Sequence, residues 1–308
     1  MEIFRNSTKD LVNARGGVFA LGNFDGVHLG HKEIISKAIS IGKKNNIPSG
    51  VLIFQPHPRK FFRPNDENFI ISDIKTRSYL LENCGLDFLG ILDFDKKMSN
   101  LTPYEFVDNV INNAIDVSHL IVGYNFKFGK DRSGDVQALT DICKKLKIDL
   151  SIIDKVEGDS YIFSSSSVRD CLRKADLKGA KKIIGDYWTV KGEVIKGDQR
   201  GRQIGFPTAN ISMEGWIEPL FGVYAVKVSI DGLLYKGVAN LGIRPTFGQS
   251  SPLLEVHLFD YSGDLYGNDI VISFIDFIRE EKKFDGIEAL KKQIEIDSTK
   301  AIELIIEN

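Results

Sequence analysis

The sequence predicts an α/β doubly wound parallel sheet followed by a small antiparallel β-barrel with a C-terminal helix. Three observations carry this: short apolar runs alternate with amphipathic segments up to about residue 180, closely spaced strands with Gly and Asp turns follow Tyr187, and helical spacing returns from Gly286. At 308 residues the chain is long for one domain and comfortable as two, 1–180 and 181–308, with the boundary expected between Ala175 and Asp186.

In the first part the strand candidates are Gly17 to Gly22, Gly50 to Phe54, Asp87 to Leu92, His119 to Gly123 and Leu150 to Val156. Between them lie helical patterns over Lys32 to Lys44 (Ile34, Ile35, Ala38 and Ile39 on one face), Asp73 to Cys84, Pro103 to Ile115 and Asp135 to Leu146. Thr102, Pro103 and Glu105 spell a capping box with proline in the first turn. Strict alternation of strand and helix means a parallel sheet covered on both faces. In the second part the strands are Thr189 to Ile195, Gly222 to Ile230, Tyr235 to Leu241, Leu254 to Phe259 and Asp269 to Ile278. Asp231-Gly232 is a hairpin signal, and so many short strands in so little chain suggest a barrel. Gly286 to Ile306, with Ile287, Leu290 and Ile294 in helical register, is expected to pack across it.

Forty Lys plus Arg against 42 Asp plus Glu leave a net charge of −2, so neither part carries the basic excess of a nucleic-acid binder. A polyphosphate ligand must then be held locally, by backbone N–H groups, a few cations and a metal, which points to nucleotide-sized ligands. Cys84, Cys143 and Cys171 are odd in number and far apart, supporting neither a disulfide framework nor a zinc site. No apolar run approaches a membrane span and the first ten residues lack a signal pattern, so a cytoplasmic location without membrane or nucleic-acid partners is expected; oligomeric state is not legible.

The segment Gly22-Asn23-Phe24-Asp25-Gly26-Val27-His28-Leu29-Gly30-His31 leaves a strand and enters a helix, the junction where doubly wound sheets bind ligands. Its glycines allow close backbone approach, and His28 and His31 can aim two imidazoles at one phosphate; alternatively, the two histidines cap the helix. Such a cradle suits nucleotidyl transfer, where the attacking phosphate is already ionised and charge stabilisation matters more than a base. The pattern GxxxxGK[ST] is absent, which excludes a P-loop. Ser164 and Ser165, opening the run before Arg169, can cap a helix while Arg169 binds phosphate, or Arg169 pairs with a nearby carboxylate. His57, between two prolines, reads equally as a ligand contact or a loop residue, whereas His119 and His257 read as structural strand residues.

In the second part Gly197 to Ile211 is a Gly-rich loop (Gly197, Gly201, Gly205) entering Pro207-Thr208-Ala209-Asn210. Thr208 and Asn210 alternate to one side and offer two neutral oxygens suited, with phosphates and water, to Mg²⁺; Arg200 and Arg202 stand near enough to meet phosphate. Glycine turns and plain cap residues are the other reading. Glu255, on a strand of apolar neighbours, is either a proton acceptor or an outward-facing residue.

GNFDGVHLGH resembles the signature of HxGH-type nucleotidylyltransferases, specifically the N-terminal half of bacterial bifunctional riboflavin kinase/FAD synthetases. Phe54-Gln55-Pro56-His57-Pro58, Val122 to Gly129 with Gly134, and Ser164 to Arg169 match that family in order. Gly201-Arg202-Gln203-Ile204-Gly205-Phe206-Pro207-Thr208-Ala209-Asn210 resembles the riboflavin kinase signature, and Gly222 to Val226, Gly237 to Gly248, Glu255 to Asp260 and Arg279 before Phe284 continue the likeness nearly end to end.

The resemblance implies two ATP-using sites, with flavin as substrate and product. In the barrel MgATP would phosphorylate riboflavin to FMN, with Thr208 and Asn210 at the metal, Glu255 accepting the proton, and Gly197, Arg202 and Gly205 at the nucleotide. In the sheet domain a second ATP would adenylylate FMN to FAD and release pyrophosphate. There His28 and His31 would stabilise the α-phosphate, with Gly22, Asn23, Phe24, Asp25, Gly26, Gly30, Asn125, Ser164, Ser165 and Arg169 around the nucleotide. Asn125 stands where the family usually has Asp, and Ser166 where it usually has Thr. The rivals are a flavin- or nucleotide-binding protein that has lost one or both activities, a riboflavin kinase alone, or a cytidylyltransferase sharing the HxGH sheet.

Overall fold

A computed structural model describes residues 1–6, 9–155, 162–197, 201, 205–246 and 249–308. Two compact units emerge, one from residues 1–67 and 77–162, the other from 68–76 and 163–308. The expected functional parts and these packing units are drawn differently, because residues 68–76 and the helices after 163 pack with the barrel.

In the first unit the strands are β1 (Glu2–Arg5), β2 (Val18–Leu21), β3 (Ser49–Gln55), β4 (Phe88–Asp93), β5 (His119–Gly123) and β6 (Asp149–Ile153), every neighbouring pair parallel. Their order, β1-β4-β3-β2-β5-β6, makes the chain reverse its direction across the sheet between β2 and β5. Ligands bind at such switch points, beyond the strands' carboxyl ends. The central strands are buried on both faces, as in Val18–Leu21, which explains their continuous apolar character.

The helices are α1 (Leu29–Asn45), α2 (Pro58–Phe62), α3 (Ile74–Glu82), α4 (Lys96–Ser99), α5 (Pro103–Glu105), α6 (Val136–Leu146), α7 (Ser165–Arg173) and α8 (Leu177–Ile184). Both halves of the Thr102/Glu105 capping box form. The pattern beyond it continues as π-type turns over Phe106–Ile115, keeping Phe106, Val107, Ile111 and Ile115 buried, and ends at Asp116 with φ 61°. The edge strand β1 is an addition to the five strands expected.

In the second unit β7 (Thr189–Glu193), β8 (Thr208–Ser212), β9 (Gly222–Ile230), β10 (Leu233–Thr246), β11 (Gln249–Leu258) and β12 (Asp269–Glu280) form an antiparallel sheet of order β7-β12-β9-β10-β11-β8. A bridge between Ile195 and Asn210, with Ile195 N donating to Asn210 O at 2.8 Å, brings the two edges together into a nearly closed barrel. Asp231 and Gly232 take φ 48° and 81°, the paired left-handed conformation of a tight hairpin turn. Tyr224, Val226, Ala239, Leu254, Val256 and Phe274 belong to the buried core. On the opposite face, Val223, Ala225 and Val238 pack against Ala301 and Ile305 of the C-terminal helix, Ile287–Glu307. Arg279 of β12 fixes that helix, donating from Nε and Nη2 to both oxygens of buried Asp297 at 2.7–3.1 Å.

The segment 68–76 is stitched to the barrel by a bridge from Ile70 to Trp216, a bond from Trp188 Nε1 to Ile71 O at 3.1 Å, and the Thr76 hydroxyl, which accepts from Lys191 N at 2.9 Å. Helices α7 and α8 join the same unit: Leu220 N donates to Leu172 O, and Lys178 lies 3.5 Å from Asp276.

Candidate functional site

In the first unit β2 delivers residues 22–28 to the N-terminus of α1, and β5 delivers Tyr124 and Asn125, so both loops flank the switch point. Phe24, Gly26 and Val27 have φ of 50°, 81° and 39°. A β-branched residue at positive φ is strained, and this succession of left-handed residues turns the loop sharply before the helix. His28 is the N-cap of α1: its Nδ1 accepts from His31 N at 3.3 Å, so the neutral ring carries its proton on Nε2. His28 and His31 stack, ring centroids 3.6 Å apart, and Phe24 meets His31 edge-on. Capping and ligand binding, alternatives in the sequence, are thus compatible in outline: capping employs Nδ1 of His28, the ring nitrogen opposite the N–H that ligand binding would use.

Asp25 is buried and takes a bond from Arg77 Nη2 at 3.4 Å. Asn125 is exposed just beyond β5. His57 caps α2, Nδ1 accepting from Arg59 N at 3.1 Å, and His119 bonds Ser151 Oγ at 2.8 Å. Phe54, Phe61, Phe62 and Phe94 form an edge-to-face cluster at the carboxyl ends of β3 and β4, with Phe62 largely exposed; the sequence reading missed this wall.

In the second unit Ser164 caps α7, its Oγ accepting from Ser167 N at 3.1 Å, and Ser165 opens the first turn. Arg169 Nε donates to Phe69 O at 2.6 Å, and its guanidinium lies over the Phe69 ring. The barrel brings the kinase candidates together. Glu255 of β11 lies directly opposite Asn210 of β8 on one side and Asn240 of β10 on the other. Opposed residues share a sheet face, so Asn210, Glu255 and Asn240 stand abreast, one pleat from the opposed pair Thr208 and His257.

Thr208, Asn240, Glu255 and His257 line a cavity of about 380 Å³ whose far wall includes Leu290 and Ile294 of the C-terminal helix. A second cavity, of about 450 Å³, lies between β8 and residues 261–266, and Thr208 lines both. Asn210 is 4 % exposed; its Nδ2 is 3.5 Å from Thr208 O, and its Oδ1 has no hydrogen-bond partner among the described residues. Gly197 packs so closely on that side chain that a Cβ there would lie 2.5 Å from Asn210 Nδ2. Gly205 has φ 90°, and Arg200 and Arg202 lie outside the described residues. His257, read as structural from the sequence, does pin the segment entering β8, with Nδ1 2.9 Å from Pro207 O, but it also faces the cavity. Arg279, part of the family likeness, lines the same cavity and is paired with Asp297.

Two family models match the chain, FAD synthetase over residues 11–167 and riboflavin kinase over 184–305. Curated bifunctional riboflavin kinase/FMN adenylyltransferases are similar along nearly their whole length. That of Bacillus subtilis is 37% identical, with 92% of this chain and 91% of the relative covered; that of Pseudomonas fluorescens is 38% identical, covering 92% and 91%; that of Escherichia coli K12 is 35% identical, covering 94% and 92%. The chain belongs to the bifunctional riboflavin kinase/FMN adenylyltransferase family. The crystal structure of a macrolide-efflux protein from Streptococcus pneumoniae superposes with a TM-score of 0.81 at 29% identity, covering 96% of this chain and 97% of the other. Among the described residues, no helix of this family member is long and apolar enough to cross a membrane.

Proposed function

We propose that the chain makes FAD in two ATP-dependent steps, phosphorylating riboflavin to FMN in the barrel and adenylylating FMN in the sheet domain. Family membership and the end-to-end match with bifunctional relatives support both activities. The functional division falls near residue 180, between the two family matches.

For the kinase, the observation that carries the reading is Glu255 paired across strands with Asn210, whose buried Oδ1 lacks a partner among the described residues, beside a cavity lined by Thr208 and Glu255. The donor set fits Mg²⁺. Among the described residues no group of three or more His, Cys, Asp or Glu could hold a metal, so a cation at Thr208 and Asn210 would complete its shell with nucleotide phosphates and water. When bound it would neutralise charge on the phosphates. Riboflavin occupies the cavity beneath the C-terminal helix and the nucleotide the cavity beyond Thr208; the resemblance to the riboflavin kinase signature supports Gly197, Arg202 and Gly205 as nucleotide residues, Arg202 lying outside the described residues. Glu255 takes the proton from the 5′-hydroxyl as its oxygen bonds to the γ-phosphorus and ADP leaves.

For adenylylation, an FMN phosphate oxygen attacks the α-phosphorus of ATP, and the bond to the β-phosphate breaks. His28, through Nε2–H, and His31 stabilise the charge that develops there. Backbone N–H groups of the Gly22 to Gly30 loop cradle the nucleotide and Asn125 borders it; for Ser164, Ser165 and Arg169 the support for a role at the pyrophosphate is the family resemblance of Ser164 to Arg169 in the sequence. The Phe54 to Phe94 aromatic cluster offers the isoalloxazine ring a stacking wall. A cytoplasmic location suits the three free cysteines; burial pushes the Cys143 and Cys171 thiols up to about 11.

Chromatography of products from riboflavin, ATP and Mg²⁺, and separately from FMN and ATP, tests the reading. Glu255→Gln is expected to abolish FMN formation while leaving adenylylation of supplied FMN intact; His28→Ala with His31→Ala does the reverse. Equal loss of both activities in either variant would show that the partition is wrong.

A further inference from the structure

The sheet domain holds a fully buried charge that the chemistry above does not use. Arg77, in α3, is 2 % exposed, and its Nη2 reaches the equally buried Asp25 at 3.4 Å. A buried ion pair is a poor way to gain stability, since apolar residues of similar volume often serve as well; its recurring use is to specify one conformation. The conformation at stake is unusual. Asp25 sits inside the loop where Phe24, Gly26 and Val27 all have positive φ, two of them side-chain-bearing residues held at a cost. Directly after this turn His28 caps α1, so the direction of its Nε2 depends on the loop holding its shape.

We infer that Arg77 is a positioning residue for adenylyl transfer: by anchoring the Asp25 carboxylate it locks the strained loop, and through it His28, in the geometry that meets charge at the α-phosphate. The inference rests on the adenylyl-transfer reading of this site. Arg77, 2 % exposed, acts through Asp25 and not on substrate. The lock matters most in the transition state, because a preorganised donor stabilises charge without reorganising during the reaction. Loss of the anchor therefore falls on kcat for FAD formation more than on KM for ATP or FMN. Misplacement by about 1 Å from a site remote from the chemistry can cost about 100-fold.

The test uses the full chain with Arg77→Met, Arg77→Lys and Asp25→Asn, measuring kcat and KM for FMN adenylylation alongside riboflavin phosphorylation by the same preparation. Arg77→Met and Asp25→Asn are expected to lower kcat for FAD formation about 100-fold, with each KM within about threefold of its original value and the kinase rate unchanged. Arg77→Lys restores charge at a single point and is expected to recover part of kcat. Should Arg77→Met fail to fold, Asp25→Asn, which keeps the shape of the side chain, decides alone. Full kcat in Asp25→Asn or Arg77→Met, loss of both activities together in Asp25→Asn, or no recovery by Lys would overturn the inference. A wild-type chain that makes no FAD would instead overturn the reading on which it rests.

Discussion

Gly197→Ala should disable the kinase without touching adenylylation. An added Cβ would lie 2.5 Å from Asn210 Nδ2, 2.8 Å from Cγ and 3.1 Å from Oδ1. The first distance is about 1 Å inside ordinary van der Waals contact, so one partner must give way. Asn210 yields poorly: it is 4 % exposed, and its carbonyl takes the Ile195 bond that joins the barrel's edges. Its amide must rotate or the 195–197 backbone must lift, and either moves Oδ1 by a distance comparable to the overlap. A shift of about 1 Å in a group that orients reactants costs about 100-fold in rate. The assay is FMN formation at saturating riboflavin over a Mg²⁺ titration, with FAD formation from supplied FMN as the internal control. A kinase of unchanged rate and Mg²⁺ dependence would refute the placement of Asn210 at the cation.

Three further outcomes follow from other parts of the structure. Asn240→Asp sets a second carboxylate directly opposite Glu255 and should lower FMN formation tenfold or more, read as product per unit time, with FAD synthesis unchanged. Thr76→Val removes the hydroxyl that accepts from Lys191 N; it should cost about 1–3 kcal/mol in denaturant unfolding of the barrel unit, monitored by the fluorescence of Trp188 and Trp216. Burial holds the His119 imidazole below its usual 6.5, so the unfolded chain takes up that proton first. The stability associated with His119 is present above pH 6.5 and is lost as pH falls through the folded-state value, and His119→Gln should flatten that acid limb in melts between pH 8 and 5.

The sheet was legible because parallel strands buried on both faces leave an apolar signature that alternates with helices, and the Thr102 box and Asp231-Gly232 turn act through immediate neighbours. The same locality explains what was missed. Strand β1 contributes one buried residue, Phe4, among exposed ones, too little to show a period. Ile71 accepts from Trp188 across 117 positions, and nothing in Ile70 to Thr76 announces a barrel as partner. Arg77 reads as an ordinary polar helix residue until its burial is known. Asn240 and His257 became visible through register alone: once Glu255 is set opposite Asn210, the pleat decides which neighbours share its face.

The two sites differ in the one group their chemistries would make different. An alcohol must shed a proton to attack phosphorus, and Glu255 lines the barrel cavity where an acceptor is wanted. The phosphate of FMN is already ionised, and the sheet-domain loop supplies imidazoles and backbone amides instead. That loop does contain a carboxylate, Asp25, but it is buried and paired with Arg77, the contact through which we infer that it anchors the turn. A free carboxylate beside the triphosphate would repel the substrate it was meant to help. Pairing Asp25 with an arginine keeps the geometric use of the side chain while a cation of opposite sign offsets its charge.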